Sequence, residues 1–434
     1  MAYKTIIGLE IHVELKTETK IFCGCKNEFG GEANSHVCPV CLGLPGAMPV
    51  MNTKVVEHAI KAGLAFNCKI NEYNQMDRKN YFYPDLTKGY QVSQDEHPIC
   101  EDGYISIETA DGKKDVGLIR IHMEEDTGKA IHTEEETLMD YNRAGVPLIE
   151  IVTKPDISTS EEARAFLEKL KATLGYLEVS DCKMEEGSMR CDVNINIKDT
   201  ETGKRTAISE IKNISSFRSV GRAIEYEKIR HEGMIKDGVL GTKVTRRWDD
   251  ALGETVLMRD KLVEPDYRFA PEGDLPSFSV NSKWIEDIKS NLPELPEEKK
   301  ARFINEYGLV AYDAEVLTQT VELANFFESV AMVHKDYNTV SNWIMGELLR
   351  RLKEEGSEID QVRFSPEDLS FLLGAIEEGK ISNNVAKKVF RTMFETGTKP
   401  SKIIEEEGLV QISDQGQLEE LIQEVLMSNQ QSVE

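Results

Sequence analysis

The chain has 434 residues, with 52 Lys and Arg against 77 Asp and Glu, a formal net charge of -25. At roughly 150 residues per domain that length supports two to four domains, and 40% hydrophobic with 30% charged residues excludes a wholly disordered or fibrous chain. No apolar run approaches the ~20 residues of a membrane-spanning helix, and so acidic a chain binds nucleic acid only through a local basic patch or a partner.

The opening residues lead into an apolar–polar alternation and not a signal-peptide core, so the expected location is the cytoplasm. Leu9 to Leu15 alternates strictly, placing Glu10, His12 and Glu14 on one face of a strand. Cys23, Cys25, Cys38 and Cys41 follow as two close pairs, a spacing that suits four thiolates around one structural zinc, with His36 as an alternative ligand. The other cysteines, Cys68, Cys100, Cys182 and Cys191, are isolated and read as small buried apolar residues. No disulfide scaffold is expected.

Asp77 to Asp85 interleaves Arg78 and Lys79 with Tyr81, Phe82 and Tyr83 ahead of a Pro-Asp turn. It is either a turn with packed aromatics or a phosphate or nucleotide loop. A strand over Ile119–Glu124 ends in Glu124, Glu125 and Asp126; Asn142 to Glu150 then uses Gly145 and Pro147 to shape a close backbone approach. After Ser160, the acids Glu161 and Glu162 open a helix carrying Ala163, Phe166, Leu167 and Leu170. Arg190 to Ile197 alternates again, with Asp192, Asn194 and Asn196 on one face, and Glu210 and Lys212 lie on a further strand. Strands outnumber the helices that could cross between parallel neighbours, so the expected fold is α+β with a largely antiparallel sheet.

Pro293 and Pro296 mark a linker. Beyond it the periodicity is helical, through Leu323 to Phe327 and Trp343 to Leu349; Ser365-Pro366-Glu367-Asp368 is a helix start, and a short helix follows Ser382. A last helix is expected from Asp414, in a stretch with eight acidic residues and no Lys or Arg after Ile403. The expected domains are a cradle over 1–290 with a zinc loop at 23–41, a helical domain over 291–405, and the start of a tail domain over 406–434.

P-loop, dinucleotide-binding and nucleophile-elbow motifs are all missing, and so is a Gly/Ser-rich amidase stretch. Acids from several strands are instead the hard oxygen ligands that magnesium takes beside phosphate, with Lys79, Arg190 and Lys212 available for the phosphates. Ile7 to Leu15, Asp77 to Asp85, His122 to Asp126, Asn142 to Glu150, Met184 to Asp192 and Glu210 to Asn213 together resemble the B subunits of tRNA-dependent amidotransferases, in order and from about Tyr3 to the last residue.

The resemblance implies a strand-rich kinase cradle, a helical domain and a tail that grips tRNA. It implies ATP-dependent amidation of Glu misloaded on tRNA(Gln), or Asp on tRNA(Asn), through phosphorylation of the side-chain carboxylate. It also implies ATP and magnesium as cofactors, a glutaminase (A) subunit that sends ammonia through a channel, and a small C subunit. On matching positions it implies Glu10, His12, Glu125, Glu150 and Glu210 as catalytic residues. Lys79, Tyr81, Arg190 and Lys212 would bind the nucleotide, and Glu10, Glu124, Glu125 and Asp192 would hold magnesium. The cysteine quartet marks a zinc-bearing branch. Two departures stand out: Ala270 replaces an aromatic within Asp266 to Asp274, and the chain stops at Glu434, where the family continues, so either the tail is short or the sequence is truncated. The competing reading is a non-catalytic, zinc-containing adaptor that presents tRNA.

Overall fold

In the computed structural model, residues 3–110, 112–260 and 266–410 are described. The chain divides into two compact units, Met1–Leu295 and Pro296–Glu434.

The first unit is built on a ten-stranded sheet. Its strands are β1 (Tyr3–Glu14), β2 (Lys69–Ile70), β3 (Cys100–Glu101), β4 (Tyr104–Thr109), β5 (Gly112–Glu125), β6 (Pro147–Thr153), β7 (Met189–Asp199), β8 (Ser209–Lys212), β9 (Val244–Asp249) and β10 (Glu254–Asp260). Their order is β10-β9-β8-β7-β1-β6-β5-β3-β2, with β4 paired to β5. Every pairing is antiparallel except β8 with β9, so the antiparallel expectation holds.

The alternation in β1 explains its central place. Ile7, Leu9, Ile11 and Val13 are fully buried, whereas Glu10, His12 and Glu14 face the other side and are only half-buried. Two helices, α2 (Ser160–Tyr176) and α3 (Phe217–Lys236), follow α1 (Thr53–Ala65) in the chain. They pack on each other, with α2 also against β4 and α3 against β7. Phe166, Leu167, Leu170, Val220 and Ala223 are completely buried in that layer, and each large apolar side chain removed from water contributes roughly 1.5–3 kcal/mol. The α2 cap is Thr159, whose hydroxyl accepts from the Glu162 amide at 3.1 Å. Ser160 instead lies inside the helix and donates to Glu225 at 2.7 Å.

One face of the sheet is therefore closed by helices. The other carries the polar side chains of β1, β5, β6 and β7. A small three-stranded sheet of Asp77–Asn80, Tyr90–Ser93 and Ala270–Pro271 belongs to the same unit.

The second unit is helical, from Pro296–Tyr307 to Pro400–Glu406, around buried Phe303, Phe327, Leu369 and Phe390. Ser365 and Asp368 form a reciprocal capping box ahead of Pro366–Glu377. Trp343 to Leu349 is not uniformly α-helical, since Ile344–Leu348 forms a π-helical turn. The helix after Ser382 is longer than expected, at 14 residues. The expected helix from Asp414 lies outside the described residues, as does the tail beyond Val410. Among the described residues, no helix is long and apolar enough to cross a membrane.

Candidate active site and zinc loop

Strand register builds the open face into two acidic groups. His12 lies opposite Glu150 across β1 and β6, and Glu150 lies opposite His122 across β6 and β5. Glu124 is two residues beyond His122 and so shares its face. The His12 imidazole Nε2 sits 3.4 Å from Glu124 Oε1 and 3.6 Å from Glu150 Oε2. His122 Nε2 is 3.1 Å from Glu150 Oε2.

The second group starts from Glu10, which is opposite Asp192 across β1 and β7. Glu210 joins from β8, opposite Asn194. Possible ligand atoms of Glu10, Asp192 and Glu210 lie within 4.8 Å of one another, as do those of His12, Glu124 and Glu150. Lys212 pairs with Asp192 and, at 3.2 Å, with Glu210. Asn194 donates to Glu10 at 2.8 Å and Thr245 to Glu210 at 2.9 Å. Because Glu10 and His12 are two residues apart on one strand, the groups are neighbours, about 6.7 Å along β1.

The electrostatics are those of a site built around more anions than it can neutralise. Burial, then Glu150, Asp192 and Glu210, push the Glu10 carboxyl up. Burial and the neighbouring Glu150 push Glu124 up to about 8. Burial also acts on Glu150, but the charges of His122, His12 and Lys79 outweigh it and hold that carboxyl below its usual range. Burial lowers the His12 imidazole, which disfavours its charged form. Glu124 is 1% exposed, and its Oε2 is buried without a hydrogen-bond partner. A buried, unsatisfied carboxylate oxygen is costly unless a cation meets it, and an oxygen-rich set with one imidazole fits a hard divalent ion. These residues therefore fit magnesium.

Not every expected residue joins. Glu125 points to the opposite side from Glu124, as strand alternation requires. Its Oε1 takes a hydrogen bond from Lys88 at 2.5 Å and another from the Val92 amide at 2.9 Å, so the structure does not bring it to the other three carboxylates expected for one ion. Nor is there one convergent set: Glu10 and Asp192 belong to one group and Glu124 to the other. Lys79 acts on Glu124 and Glu150 while its ammonium lies 5.0 Å from the Tyr267 ring centre. Tyr81 donates to Gln91 at 3.4 Å, and burial with the nearby Glu124 raises its phenol. Arg190 pairs with Asp126 at 2.7 Å, its Nε buried without a partner. Ala270 pairs with Arg78 in the small sheet and is exposed, while Tyr267 and Phe269 keep edge contacts with each other.

Sequence reasoning missed His122 as a site residue, although it stands two positions before Glu124 just as Glu10 stands before His12. It also missed the supporting roles of Asn194 and Thr245; the Thr245 contact depends on a parallel pairing that no local pattern announces. Beside Glu10 and Asn194 opens a cleft of about 260 Å³, with Ile6, Gly8 and Val152 on its wall and Arg205 and Lys243 on its rim.

The cysteine loop docks beside this sheet. The sulfur atoms of Cys23, Cys25, Cys38 and Cys41 lie within 4.8 Å of one another, with Cys38 and Cys41 3.9 Å apart. Thiolates around zinc at ~2.3 Å should sit about 3.8 Å apart, so the quartet fits the ion. The Cys23 thiol hydrogen-bonds Cys41 and, with Lys20 nearby, brings the Cys41 thiol down to about 5. His36 is not part of the quartet; its Nε2 is 3.4 Å from Glu28. The loop is tied down by Lys20, completely buried, which donates to the His36 and Ala144 carbonyls, and by Asn142, which accepts from the His36 amide at 2.8 Å. The isolated cysteines carry free thiols, with Cys100, Cys182 and Cys191 buried and Cys68 half-buried. Purified protein is expected to contain close to one zinc per chain by elemental analysis and to lose it in the Cys38→Ser, Cys41→Ser double variant; zinc-free wild type from a metal-replete preparation would refute the assignment.

Comparison with known proteins adds the lineage. A family described as "GatB/GatE catalytic domain" matches residues 5–286, and one described as "GatB domain" matches residues 325–434. The B subunit of the aspartyl/glutamyl-tRNA(Asn/Gln) amidotransferase of Clostridium botulinum strain Hall is 53% identical over 435 residues, covering 100% of this chain and 91% of the relative. The same-named protein of Clostridium tetani strain Massachusetts is 52% identical over 438 residues, again with 100% and 91% coverage. With a catalytic-domain match over residues 5–286 and 53% identity along its whole length, the chain belongs to the family of aspartyl/glutamyl-tRNA(Asn/Gln) amidotransferase B subunits.

Proposed function

We propose that this chain uses ATP to activate the side-chain carboxylate of Glu misloaded on tRNA(Gln), or Asp on tRNA(Asn), for amidation. The observation that carries the reading is the pair of acidic groups on one sheet face, with a buried Glu124 oxygen that lacks a hydrogen-bond partner. ATP would occupy the cleft beside Glu10, its base on the apolar wall and its phosphates directed to the acids. His12, Glu124 and Glu150 would hold one magnesium ion, and Glu10, Asp192 and Glu210 a second. Magnesium, when bound, offsets the charge that accumulates on the transferring phosphoryl group.

The chain's own residues prepare that site. Lys212 holds Asp192 and Glu210 in place, and His122 does the same for Glu150. Lys79 and Arg190 supply positive charge for the substrate's anionic groups. The substrate carboxylate oxygen attacks the γ-phosphorus and ADP leaves, giving a mixed anhydride. Ammonia then attacks the acyl carbon, phosphate leaves with the bonding electrons, and loss of a proton gives the amide. Activation is needed because an unmodified carboxylate has no good leaving group.

No amidase motif occurs in this chain, so ammonia would come from a glutaminase subunit, with a small C subunit completing a cytoplasmic heterotrimer. Residues 1–290 would form the kinase cradle, 291–405 the helical domain and 406–434 the start of the tRNA-gripping tail. The test uses labelled ATP, Glu-tRNA(Gln) and ammonia, with the chain alone and with its partner subunits. The assembled complex should consume ATP and form Gln-tRNA(Gln), while the chain alone should not hydrolyse glutamine. An adaptor would bind the tRNA without ATP turnover; the paired acidic groups, which an adaptor does not need, favour the enzyme.

A further inference from the structure

Glu14 extends the reactive face of β1 by one step beyond His12, yet nothing assigned so far uses it. It is half-buried and lies opposite Leu148, which in turn is opposite Glu124. Its amide is occupied, donating to the Ser188 carbonyl at 2.8 Å. Its carboxylate has no hydrogen bond or ion pair among the described residues. The charged groups around it are Asp126, Arg190, Arg143 and Asp181. Both arginines are already committed to Asp126, at 2.7 Å and 3.4 Å. A half-buried carboxylate beside two other acids, with no hydrogen bond or ion pair to either guanidinium, is a place for an incoming cation. The same row continues through the buried Leu148 to Glu124, whose Oε2 lacks a hydrogen-bond partner and lies 3.9 Å from His122 Nε2.

The substrate of the proposed reaction brings one cation of its own. An amino acid esterified through its α-carboxyl keeps a free α-ammonium group, and its side-chain carboxylate is the part that reacts. In a glutamyl group, four bonds of ~1.5 Å separate the nitrogen from the side-chain carboxyl carbon, a span of at most about 5 Å. Two residues along a strand cover about 6.7 Å. A glutamyl side chain reacting at the His12 group thus places its ammonium within hydrogen-bonding reach of Glu14.

We propose that Glu14 anchors the α-ammonium of the aminoacyl group and so selects a free aminoacyl ester. This rests on the functional reading above and names the substrate contact within it. The contact is a charge-assisted hydrogen bond, and its loss should cost roughly 10- to 100-fold in kcat/KM.

The test uses the assembled complex with ammonia supplied directly, and compares Glu-tRNA(Gln) with N-acetyl-Glu-tRNA(Gln), which lacks the ammonium charge. Wild type should favour the free amine by about 10- to 100-fold. Glu14→Gln should lose that amount on the free amine, mostly through KM for the tRNA, and bring the two substrates to within about twofold, with KM for ATP unchanged. Glu14→Asp, which keeps the charge, should recover part of the preference. The proposal is overturned if Glu14→Gln keeps the wild-type preference, or if wild type uses both substrates equally well. Wild type that amidates neither substrate overturns the functional reading and this assignment together, whereas amidation with an unaltered preference in Glu14→Gln removes only the Glu14 contact.

Discussion

Glu124→Gln and Asp192→Ala are each expected to lower formation of the activated acyl group by about two to three orders of magnitude, the usual cost of one preorganised contact to developing charge. The two residues come from different acidic groups, so each variant removes one oxygen from a separate proposed magnesium site. Folding should hold: Asp192 lies on the polar face of β7, where its apolar neighbours Cys191 and Val193 face the core, and Gln keeps the shape of Glu124. The measurement is ATP-dependent amidation in the assembled complex with ammonia supplied, together with the magnesium concentration that gives half the maximal rate. Glu124→Gln should raise that concentration by about tenfold or more, since a buried carboxylate oxygen without a hydrogen-bond partner is lost. Glu125→Gln should leave it unchanged, because Lys88 and the Val92 amide already occupy that carboxylate. Normal turnover in the Glu124 and Asp192 variants would make these acids ordinary sheet residues and favour the adaptor.

The contrast between Glu124 and Glu125 also marks how far the sequence could be read. Alternation was enough to put Glu10 with His12, and Asp192 with Asn194, on the polar faces of their strands. Applied strictly, it also separates Glu124 from Glu125 and selects His122 in place of the latter. What alternation cannot supply is register. That Glu10 stands opposite Asp192, or His12 opposite Glu150, depends on pairings between residues more than a hundred positions apart. A slip of one residue would turn each strand's acids to the helix side, so the site exists only as a product of the whole sheet. The cysteine quartet was legible for the opposite reason: its four thiols lie within nineteen positions, Cys23 to Cys41, and their spacing alone limits the chemistry.

Helix α3 shows what was least legible. Nothing in its local pattern says that Glu227 would be completely buried among cations, yet it is. Its carboxylate accepts from Arg230 Nε at 2.9 Å and from Thr255 at 2.5 Å, and it lies 3.1 Å from both Arg246 Nε and His231 Nε2. These partners come from β9, β10 and the helix itself, so the charge ties α3 to the edge half of the sheet. The pairings need β9 to follow β8 in parallel, a crossover fixed by the packing of α3.

Glu227→Ala is accordingly expected to destabilise the first unit by about 3–5 kcal/mol, because it strands buried cations without their anion. For a unit of this size each kcal/mol moves the midpoint by roughly 2–4 °C, so thermal unfolding should begin roughly 6–20 °C lower. The exposed Glu168, whose pairing with Arg164 is long at 3.4 Å, is the comparison; Glu168→Ala should change stability by no more than about 0.5 kcal/mol. The pH dependence separates a lost charge from a lost shape. Burial raises the Glu227 carboxyl, but hydrogen bonds from His231 and Arg230 outweigh it and hold the folded value far below the ordinary one. A depressed folded value means that the stabilisation is complete above the unfolded carboxylate range near pH 4.3 and fades as pH falls below it. The gap in stability between wild type and Glu227→Ala should therefore stay constant from pH 8 to about pH 5 and narrow at lower pH. A gap that persists undiminished to pH 3 would mean that the alanine damages packing, and that the buried charge contributes little to holding α3 on the sheet.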